Sequence, residues 1–188
     1  MSHRLNIVEQ IPSAWKANRD FALWLVKYKQ PSITVDLGVD WGYSSFVLAE
    51  QDIGTVYAVD IFEGEKVCNQ NTYNSVVALK DMHKYTNVAI IKADFSDLAK
   101  KWAMPIDILH IDGEHTYEAV SRDYNNWLEH VEDDGVILFH DTVYCKDAVG
   151  VFFDELEIPK YNFTEDCGLG IACRNPKIME DIISYFQN

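Results

Sequence analysis

The sequence predicts an α/β protein built on a doubly wound sheet of seven strands, mostly parallel, with an antiparallel strand at its C-terminal end. Helical patterns alternate with short apolar strand patterns along most of the chain, which is typical of a parallel sheet covered by helices. The last two strand patterns are separated only by Asp166 and Cys167, which allows a hairpin and leaves no room for a helical crossover.

The elements follow one another in a regular order. A helix over residues 13–30 carries Trp15, Phe21 and Trp24 and is expected to pack on the sheet. Strands are predicted at residues 33–37, 55–60, 88–92, 106–112, 135–140, 160–165 and 168–174, and helices at residues 44–51, 73–85, 96–102, 116–130 and 147–156.

The composition indicates a single domain with no nucleic-acid or membrane partner. The chain has 188 residues, 48% of them hydrophobic, which is enough for one hydrophobic core. We therefore expect a single domain over residues 1–188, with an N-terminal helical extension of about residues 1–31. The formal net charge of −14 and the lack of a Lys/Arg cluster argue against unaided binding to nucleic acid or to an anionic membrane. Because the sequence has neither a bilayer-spanning apolar run nor a signal-peptide pattern, a cytoplasmic location is expected.

The most informative segment joins the first strand to the next helix. The pattern Asp-x-Gly-x-x-x-Gly places Asp36 at the strand end and Gly38 and Gly42 in the turn, where the backbone can approach a ligand closely. The helix that begins near Ser44 offers backbone N–H groups to a carboxylate or phosphate. Asp40 stands where the dinucleotide fingerprint has a glycine, and its charge would repel a pyrophosphate. The segment therefore predicts a ligand with a cationic or zwitterionic end.

Acidic residues also end the next two strands. Asp60 can accept hydrogen bonds from ribose hydroxyls, and Ile61 and Phe62 after it could form a surface for adenine. Asp94 and Phe95 follow the third strand in the same way. Since the carboxyl ends of parallel strands meet at one edge, these acids are expected to line that edge of the sheet.

From about residue 32 to residue 174, the chain resembles the class I S-adenosylmethionine-dependent methyltransferases, which have a Rossmann-like sheet. Within them it is similar to the small-molecule O-methyltransferase branch, close to methyltransferase domain family 24, which has Gly-Tyr-Ser in the first loop. The resemblance implies that the first loop holds the methionine end of the cofactor, that Asp60 holds the ribose and that Asp94 lies by the adenine. The residues so assigned to the cofactor site are Asp36, Gly38, Gly42, Tyr43, Ser44, Asp60, Ile61, Asp94, Phe95 and Asp112.

The reacting groups are predicted at the end of the fourth strand. Two-residue alternation puts His110 and Asp112 on one face, and Glu114 and His115 follow a glycine before the next helix. His115 is the preferred general base, because an imidazole with an ordinary pKa of about 6.5 can accept a hydroxyl proton. A helix cap or a hydrogen bond to Asp141 is the structural alternative for His115, and Glu114 is the competing base. Asp112 is expected to align the reactants.

A metal site is predicted where the fourth and fifth strands end side by side. The resemblance implies that Asp112 lies next to His140 and Asp141, and related O-methyltransferases use such an acidic edge for a divalent ion. These three residues would hold Mg²⁺ or Mn²⁺, or a softer metal if histidine takes part. Thr142 is a weak substitute for the remaining ligand. The four cysteines lack Cys-x-x-Cys spacing and are expected to be reduced thiols rather than zinc ligands.

These patterns together predict S-adenosylmethionine-dependent methyl transfer to a hydroxyl of a small-molecule or glycan-like substrate, with Mg²⁺ or another divalent cation as an optional cofactor. The alternatives are a metal-dependent hydroxylase or hydrolase on the same scaffold and an inactive cofactor-binding subunit, because a fold does not decide a function. A homodimer is compatible with this reading. The acceptor pocket is expected from the N-terminal helix, residues 63–74 and the segment after Asp141.

Overall fold

The computed structural model describes residues 3–63 and 72–187 and confirms the predicted sheet. Its seven strands stand in the order β3-β2-β1-β4-β5-β7-β6, and β7 runs antiparallel to both of its neighbours while the other neighbouring pairs are parallel. The strands are β1 (Ile33–Leu37), β2 (Thr55–Asp60), β3 (Val88–Lys92), β4 (Ile106–Ile111), β5 (Val131–His140), β6 (Lys160–Phe163) and β7 (Leu169–Cys173).

Helices cover both faces of this sheet. They are α1 (His3–Val8), α2 (Arg19–Lys29), α3 (Tyr43–Ala49), α4 (Tyr73–Met82), α5 (Phe95–Ala99), α6 (Tyr117–Trp127), α7 (Val151–Glu155) and α8 (Pro176–Gln187). Side chains of α2, α3 and α8 share one buried cluster, which includes Phe46 and Ile182, and side chains of α5, α6 and α7 share the other, which includes Trp127 and Phe152. The two clusters provide the apolar layers of a doubly wound sheet.

The register brings the ends of four strands to one level. Val59, Leu37, Ile111 and Phe139 are paired in a row across β2, β1, β4 and β5. The residues that follow each of them in the chain therefore meet at the carboxyl edge, which is where open α/β sheets bind their ligands.

Three elements differ from the sequence-based expectation. The helix predicted over residues 13–30 is divided into a 3₁₀ turn, Ala14–Asn18, and α2, and the Ser13 hydroxyl caps the turn by accepting from the Trp15 N–H at 3.0 Å. The helix predicted over residues 147–156 begins as a π turn, Lys146–Gly150, before α7. Helix α8 was missed, although its buried residues repeat at helical spacing.

Strand β5 also begins earlier than expected. Its pairing with β4 passes from Ile106–Val131 to Ile108–Val136, so β5 contributes extra residues between these two pairs. Such an irregularity lengthens one strand without changing the alignment at its other end.

Two further expectations concern membrane-spanning segments and the acceptor pocket. Among the described residues, no helix combines the length and the apolar character needed to cross a bilayer. Most of the predicted acceptor segment at residues 63–74, and Cys68 within it, lie outside the described residues.

Candidate active site

The first loop is packed against the backbone that follows β4. Gly38 has φ +97°, and a Cβ atom at this position would lie 1.9 Å from the carbonyl oxygen of Asp112. Gly42, with φ +89°, precedes α3, and a Cβ there would lie 2.8 Å from the ring of Phe46. Both glycines are thus required by close packing inside the protein, and their predicted role in letting a ligand approach stays a prediction.

Asp60 connects the loops after β1 and β2. Its Oδ2 accepts from the N–H groups of Val39 at 2.8 Å and Asp40 at 3.2 Å, and its Oδ1 accepts from the N–H of Phe62 at 2.6 Å. Ile61 beside it is 44% exposed, as a ligand-facing surface requires, whereas Phe62 is buried and packs edge-on against a neighbouring ring. Phe62 therefore does not contribute to an exposed adenine surface.

Asp36 lies beneath the first loop rather than in it. Its fully buried carboxylate accepts from the hydroxyls of Ser44, at 2.8 Å, and Ser45, and lies 2.6 Å from Nδ1 of His110. Nε2 of His110 in turn accepts from the indole N–H of Trp15 at 3.0 Å. Since an indole can only donate, the proton of His110 resides on Nδ1 and is donated to Asp36.

These hydrogen bonds involve three residues singled out from the sequence. Asp36 and Ser44 bond to each other in the buried interior, and their predicted contact with the cofactor stays a prediction. His110, which was predicted to share a face of β4 with Asp112, is fully buried and lies beside Asp36. A charged carboxylate at this depth needs several donors, and these side chains supply them.

Tyr43 faces the N-terminal segment. Its hydroxyl donates to Oε1 of Glu9 at 2.8 Å, and the same oxygen accepts from Arg19 at 3.1 Å. Burial, with the carboxylate beside it, raises the pKa of Tyr43. This contact ties α3 to the residue after α1, and the predicted contact between Tyr43 and the cofactor stays a prediction.

The edge after β3 is acidic. Asp94 is exposed and caps α5 by accepting from the N–H of Asp97 at 3.0 Å. The ring of Phe95 lies so close to Gly113 that a Cβ there would be 2.8 Å from it. Asp123 on α6 is buried beside Gly113, and its pKa is raised to about 6 by burial and, to a smaller extent, by the charges of Asp94 and Glu114.

The predicted reacting residues come together as a ring of alternating carboxylates and imidazoles, here called the four-residue cluster: Asp112, His115, His140 and Asp141. Nε2 of His115 lies 3.2 Å from Oδ1 of Asp112 and 2.9 Å from Oδ2 of Asp141. Nδ1 of His140 lies 3.3 Å from Oδ1 of Asp112 and 3.4 Å from Oδ1 of Asp141. Glu114, the competing base, is exposed beside this ring.

The cluster stabilises charge on all its members. Hydrogen bonds to Asp112 and Asp141 raise the pKa of His115. Burial alone would lower the pKa of His140, but the charge of Asp112 outweighs it and the pKa is raised. Burial likewise opposes ionisation of Asp141, and the two imidazoles nevertheless hold its pKa low, at about 2. His115 thus carries a proton in this arrangement, and it can act as a base only after one carboxylate contact is replaced.

Two further residues border the cluster, and one of them, Cys145, was not assigned to it from the sequence. Cys145 offers a sulfur within 4.8 Å of the ligand atoms of His115 and Asp141, and its N–H bonds to the carbonyl of Asp141 at 2.8 Å. Thr142, expected as a weak metal ligand, donates its hydroxyl to Asn162 on β6 at 2.7 Å. The spacing of Cys145 four residues after Asp141 was the available signal, since a tight turn at that spacing brings both side chains to one place.

Comparison with known proteins gives a family match over the site. A family model described as a methyltransferase domain matches residues 35–142, which is more than half of the chain. An uncharacterized protein of Sinorhizobium fredii (strain NBRC 101917 / NGR234), y4gI, is 30% identical over 198 residues, covering 96% of this chain and 22% of that protein. The chain therefore spans less than a quarter of this relative's length.

Solved structures with the same fold include two methyltransferases. Podospora anserina PaMTH1, solved with SAH bound, has a TM-score of 0.72 at 11% identity, with 92% of this chain and 88% of that chain covered. An O-methyltransferase from Bacillus cereus in complex with SAH has a TM-score of 0.70 at 14% identity, with 92% and 90% covered. At these identities the similarity concerns the fold.

Proposed function

Because this chain belongs to the family of methyltransferase domains, we propose that it transfers the methyl group of S-adenosylmethionine to a hydroxyl of a small-molecule acceptor. The family predicted from the residues is confirmed. The observation that carries the proposal is that the matched residues 35–142 include the first loop, Asp60 and all four members of the four-residue cluster, at the carboxyl edge of the sheet.

The acidic edge suits the proposed methyl donor. S-adenosylmethionine carries a positive sulfonium, and Asp60, Asp94 and Glu114 are only partly buried or exposed at the edge. Asp60 is proposed to accept from the ribose hydroxyls, Ile61 and Phe95 to contact the adenine, and the first loop to hold the methionine end. The SAH complexes of the two structurally similar methyltransferases support this location by analogy of fold.

Methyl transfer from S-adenosylmethionine requires little covalent catalysis by the protein. The sulfonium is already activated, so the protein must align the acceptor oxygen, the methyl carbon and the sulfur, and remove the hydroxyl proton. We propose that Asp112 orients the acceptor and that the acceptor displaces one carboxylate contact of His115. This lowers the pKa of His115, which releases its own proton to solvent and then takes the proton of the acceptor hydroxyl. Glu114 remains the alternative base, because it is exposed at the same edge.

A second function is supported by the cluster itself. Two carboxylates and two imidazoles within hydrogen-bond distance could hold a metal for hydroxylation or hydrolysis without any methyl donor. A cofactor-binding subunit without activity is the third reading.

Calorimetric titration of the full chain with S-adenosylmethionine and SAH separates these functions. Binding of either supports methyl transfer or the inactive subunit, and methyl-labelled donor with a panel of catechol, phenol and saccharide acceptors then separates those two. Absence of binding at millimolar donor would contradict the proposal. His115→Gln and Glu114→Gln form a matched pair for the base: loss of turnover by about a hundredfold, with donor affinity kept, is expected only for the residue that takes the proton.

A further inference from the structure

The donor set of the four-residue cluster does not fit the magnesium site expected from related O-methyltransferases. Mg²⁺ prefers six oxygen ligands and keeps several waters. Here only Asp112 and Asp141 supply carboxylate oxygens, and the hydroxyl of Thr142 is engaged by Asn162. The other two positions facing the carboxylates are occupied by ring nitrogens of His115 and His140.

We infer that the four-residue cluster, with Cys145 beside it, binds a transition-metal ion that prefers nitrogen and sulfur ligands, such as Zn²⁺, Co²⁺ or Fe²⁺, rather than Mg²⁺. The inference deepens the proposed function and rests on it for the role of the ion, since the cluster lies where the acceptor hydroxyl would react. When the ion occupies Nε2 of His115, Glu114, the alternative base of the proposed reaction, takes the hydroxyl proton. Binding of the ion itself is measured without any reaction.

The spacing of the ligand atoms supports this inference. Nitrogen and oxygen atoms at 2.0–2.2 Å from one ion are separated from their neighbours by about 2.9 Å at right angles and about 3.4 Å in a tetrahedron. The two ring nitrogens lie 3.2 and 3.3 Å from Oδ1 of Asp112, and 2.9 and 3.4 Å from Oδ2 and Oδ1 of Asp141. These distances alone also fit hydrogen bonds, so the chemical identity of the donors carries the argument.

Those identities favour a borderline metal. Imidazole nitrogen suits Zn²⁺, Fe²⁺ and Co²⁺, whereas Mg²⁺ and Ca²⁺ select oxygen. Both imidazoles direct one nitrogen at the same two carboxylates, so an ion would replace the protons that these contacts share. Two carboxylates also balance the charge of a divalent ion held in a half-buried site.

Cys145 adds a soft ligand from a different direction. It forms a second possible metal-binding group with His115 and Asp141, two residues that the four-residue cluster already contains. The backbone bond from Cys145 to the carbonyl of Asp141 places both residues in one tight turn. A thiolate would increase the preference for zinc-like ions further. When bound, such an ion supplies a Lewis acid that polarises the acceptor oxygen.

Cobalt provides the test, because its spectrum reports the ligands. Chelator-treated full-length protein is titrated with Co²⁺, Zn²⁺ and Mg²⁺ by calorimetry and, for Co²⁺, by absorption. We expect one Co²⁺ or Zn²⁺ per chain, bound at least a hundredfold more tightly than Mg²⁺, and a near-ultraviolet thiolate-to-cobalt band. His140→Gln and Asp141→Asn should weaken Co²⁺ binding at least tenfold, and Cys145→Ser should abolish the band.

Matched controls lie outside the cluster. His130→Gln, in the 3₁₀ turn Leu128–His130 that follows α6, and Cys173→Ser, on buried β7, should leave Co²⁺ binding and the band unchanged. Circular dichroism checks that each variant folds, and His115→Gln, on a loop, replaces His140→Gln if that buried variant does not. Equal affinity for Mg²⁺ and Co²⁺, no Co²⁺ binding at submillimolar concentration, or binding unaffected by the cluster variants overturns the inference. A band that survives Cys145→Ser removes Cys145 from the ligand set.

A titration with S-adenosylmethionine in the same chelator-treated sample keeps the two proposals apart. Donor binding without metal binding overturns the metal site alone and leaves methyl transfer in place. Metal binding without donor binding, both before and after metal loading, supports the site and contradicts the proposed function.

Discussion

Trp15 and His110 are joined by a buried hydrogen bond of 3.0 Å between indole Nε1 and imidazole Nε2. This bond joins the 3₁₀ turn before α2 to β4. His110 in turn hydrogen-bonds to Asp36 near the end of β1. Because Asp36 holds the hydroxyls of Ser44 and Ser45, the N-terminal segment is linked to the first turn of α3. The segment thereby supports the loop proposed to hold the cofactor.

Replacement of Trp15 by phenylalanine tests this connection. Trp15→Phe keeps an aromatic ring in the core but leaves Nε2 of His110 without its donor, at a cost of about 1–3 kcal/mol. We expect a lower free energy of unfolding and weaker binding of S-adenosylmethionine by about tenfold, measured by urea denaturation and calorimetry. Nitrogen NMR should also show a changed tautomer equilibrium of His110.

The control is Trp24→Phe. Trp24 stacks on Tyr28 and Tyr185 away from Asp36, and it loses the same indole group. If both variants weaken donor binding equally, Trp15 has no specific connection to the cofactor loop.

Asp60 should contribute directly to donor affinity. Asp60→Asn removes the charge that strengthens hydrogen bonds with ribose and with the first loop, so we expect the dissociation constant of S-adenosylmethionine to rise by about one to two orders of magnitude. Calorimetry measures the change. Asp97→Asn, an exposed acid on α5 paired with Lys100, is the matched control, and unchanged affinity in Asp60→Asn would remove Asp60 from the site.

The site should discriminate against dinucleotides. Asp40 is exposed in the first loop, at the position of a glycine in the dinucleotide fingerprint, and its negative charge would repel a pyrophosphate. NAD and NADP are therefore expected not to displace S-adenosylmethionine in a competition titration. Displacement by NAD at submillimolar concentration would show that the loop accepts a pyrophosphate after all.

Asp123 should make stability depend on pH. Its pKa is raised from 3.8 to about 6, chiefly by burial, so the folded state favours the protonated carboxyl. The stabilisation linked to this proton is fully present below pH 3.8 and is lost as the pH rises through about 6. The shift corresponds to at most about 3 kcal/mol.

Asp123→Asn isolates this effect, because asparagine has no carboxyl to ionise. Above pH 7 the variant should be more stable than the unaltered protein by about 1–3 kcal/mol, and below pH 4 the difference should disappear. Chemical denaturation of both proteins at matched pH measures it. A difference that does not change with pH would mean that Asp123 keeps an ordinary pKa.

The residues themselves were enough to predict the sheet and the edge at which the candidate site lies. Strands β1, β2 and β3 have the predicted bounds, because each is a short apolar run ended by a polar or glycine-containing turn. The order of these runs also placed Asp60, Asp112 and Asp141 at one edge, since parallel strands end on the same side. Local periodicity and the length of the connections can be read directly from the sequence, and they were sufficient to predict these strands and the position of these acids.

Only the tertiary structure decided which polar atoms meet. Nothing near Asp36 in the sequence indicates that its carboxylate accepts a hydrogen bond from His110, or that Tyr43 turns toward Glu9. The contact between His115 and Asp141 likewise joins the segments that follow β4 and β5. A buried carboxylate must find donors wherever the folded chain brings them, and those partners are distant in sequence. For this protein, local patterns determined where the site lies, and long-range packing decided which side chains remain available to a ligand.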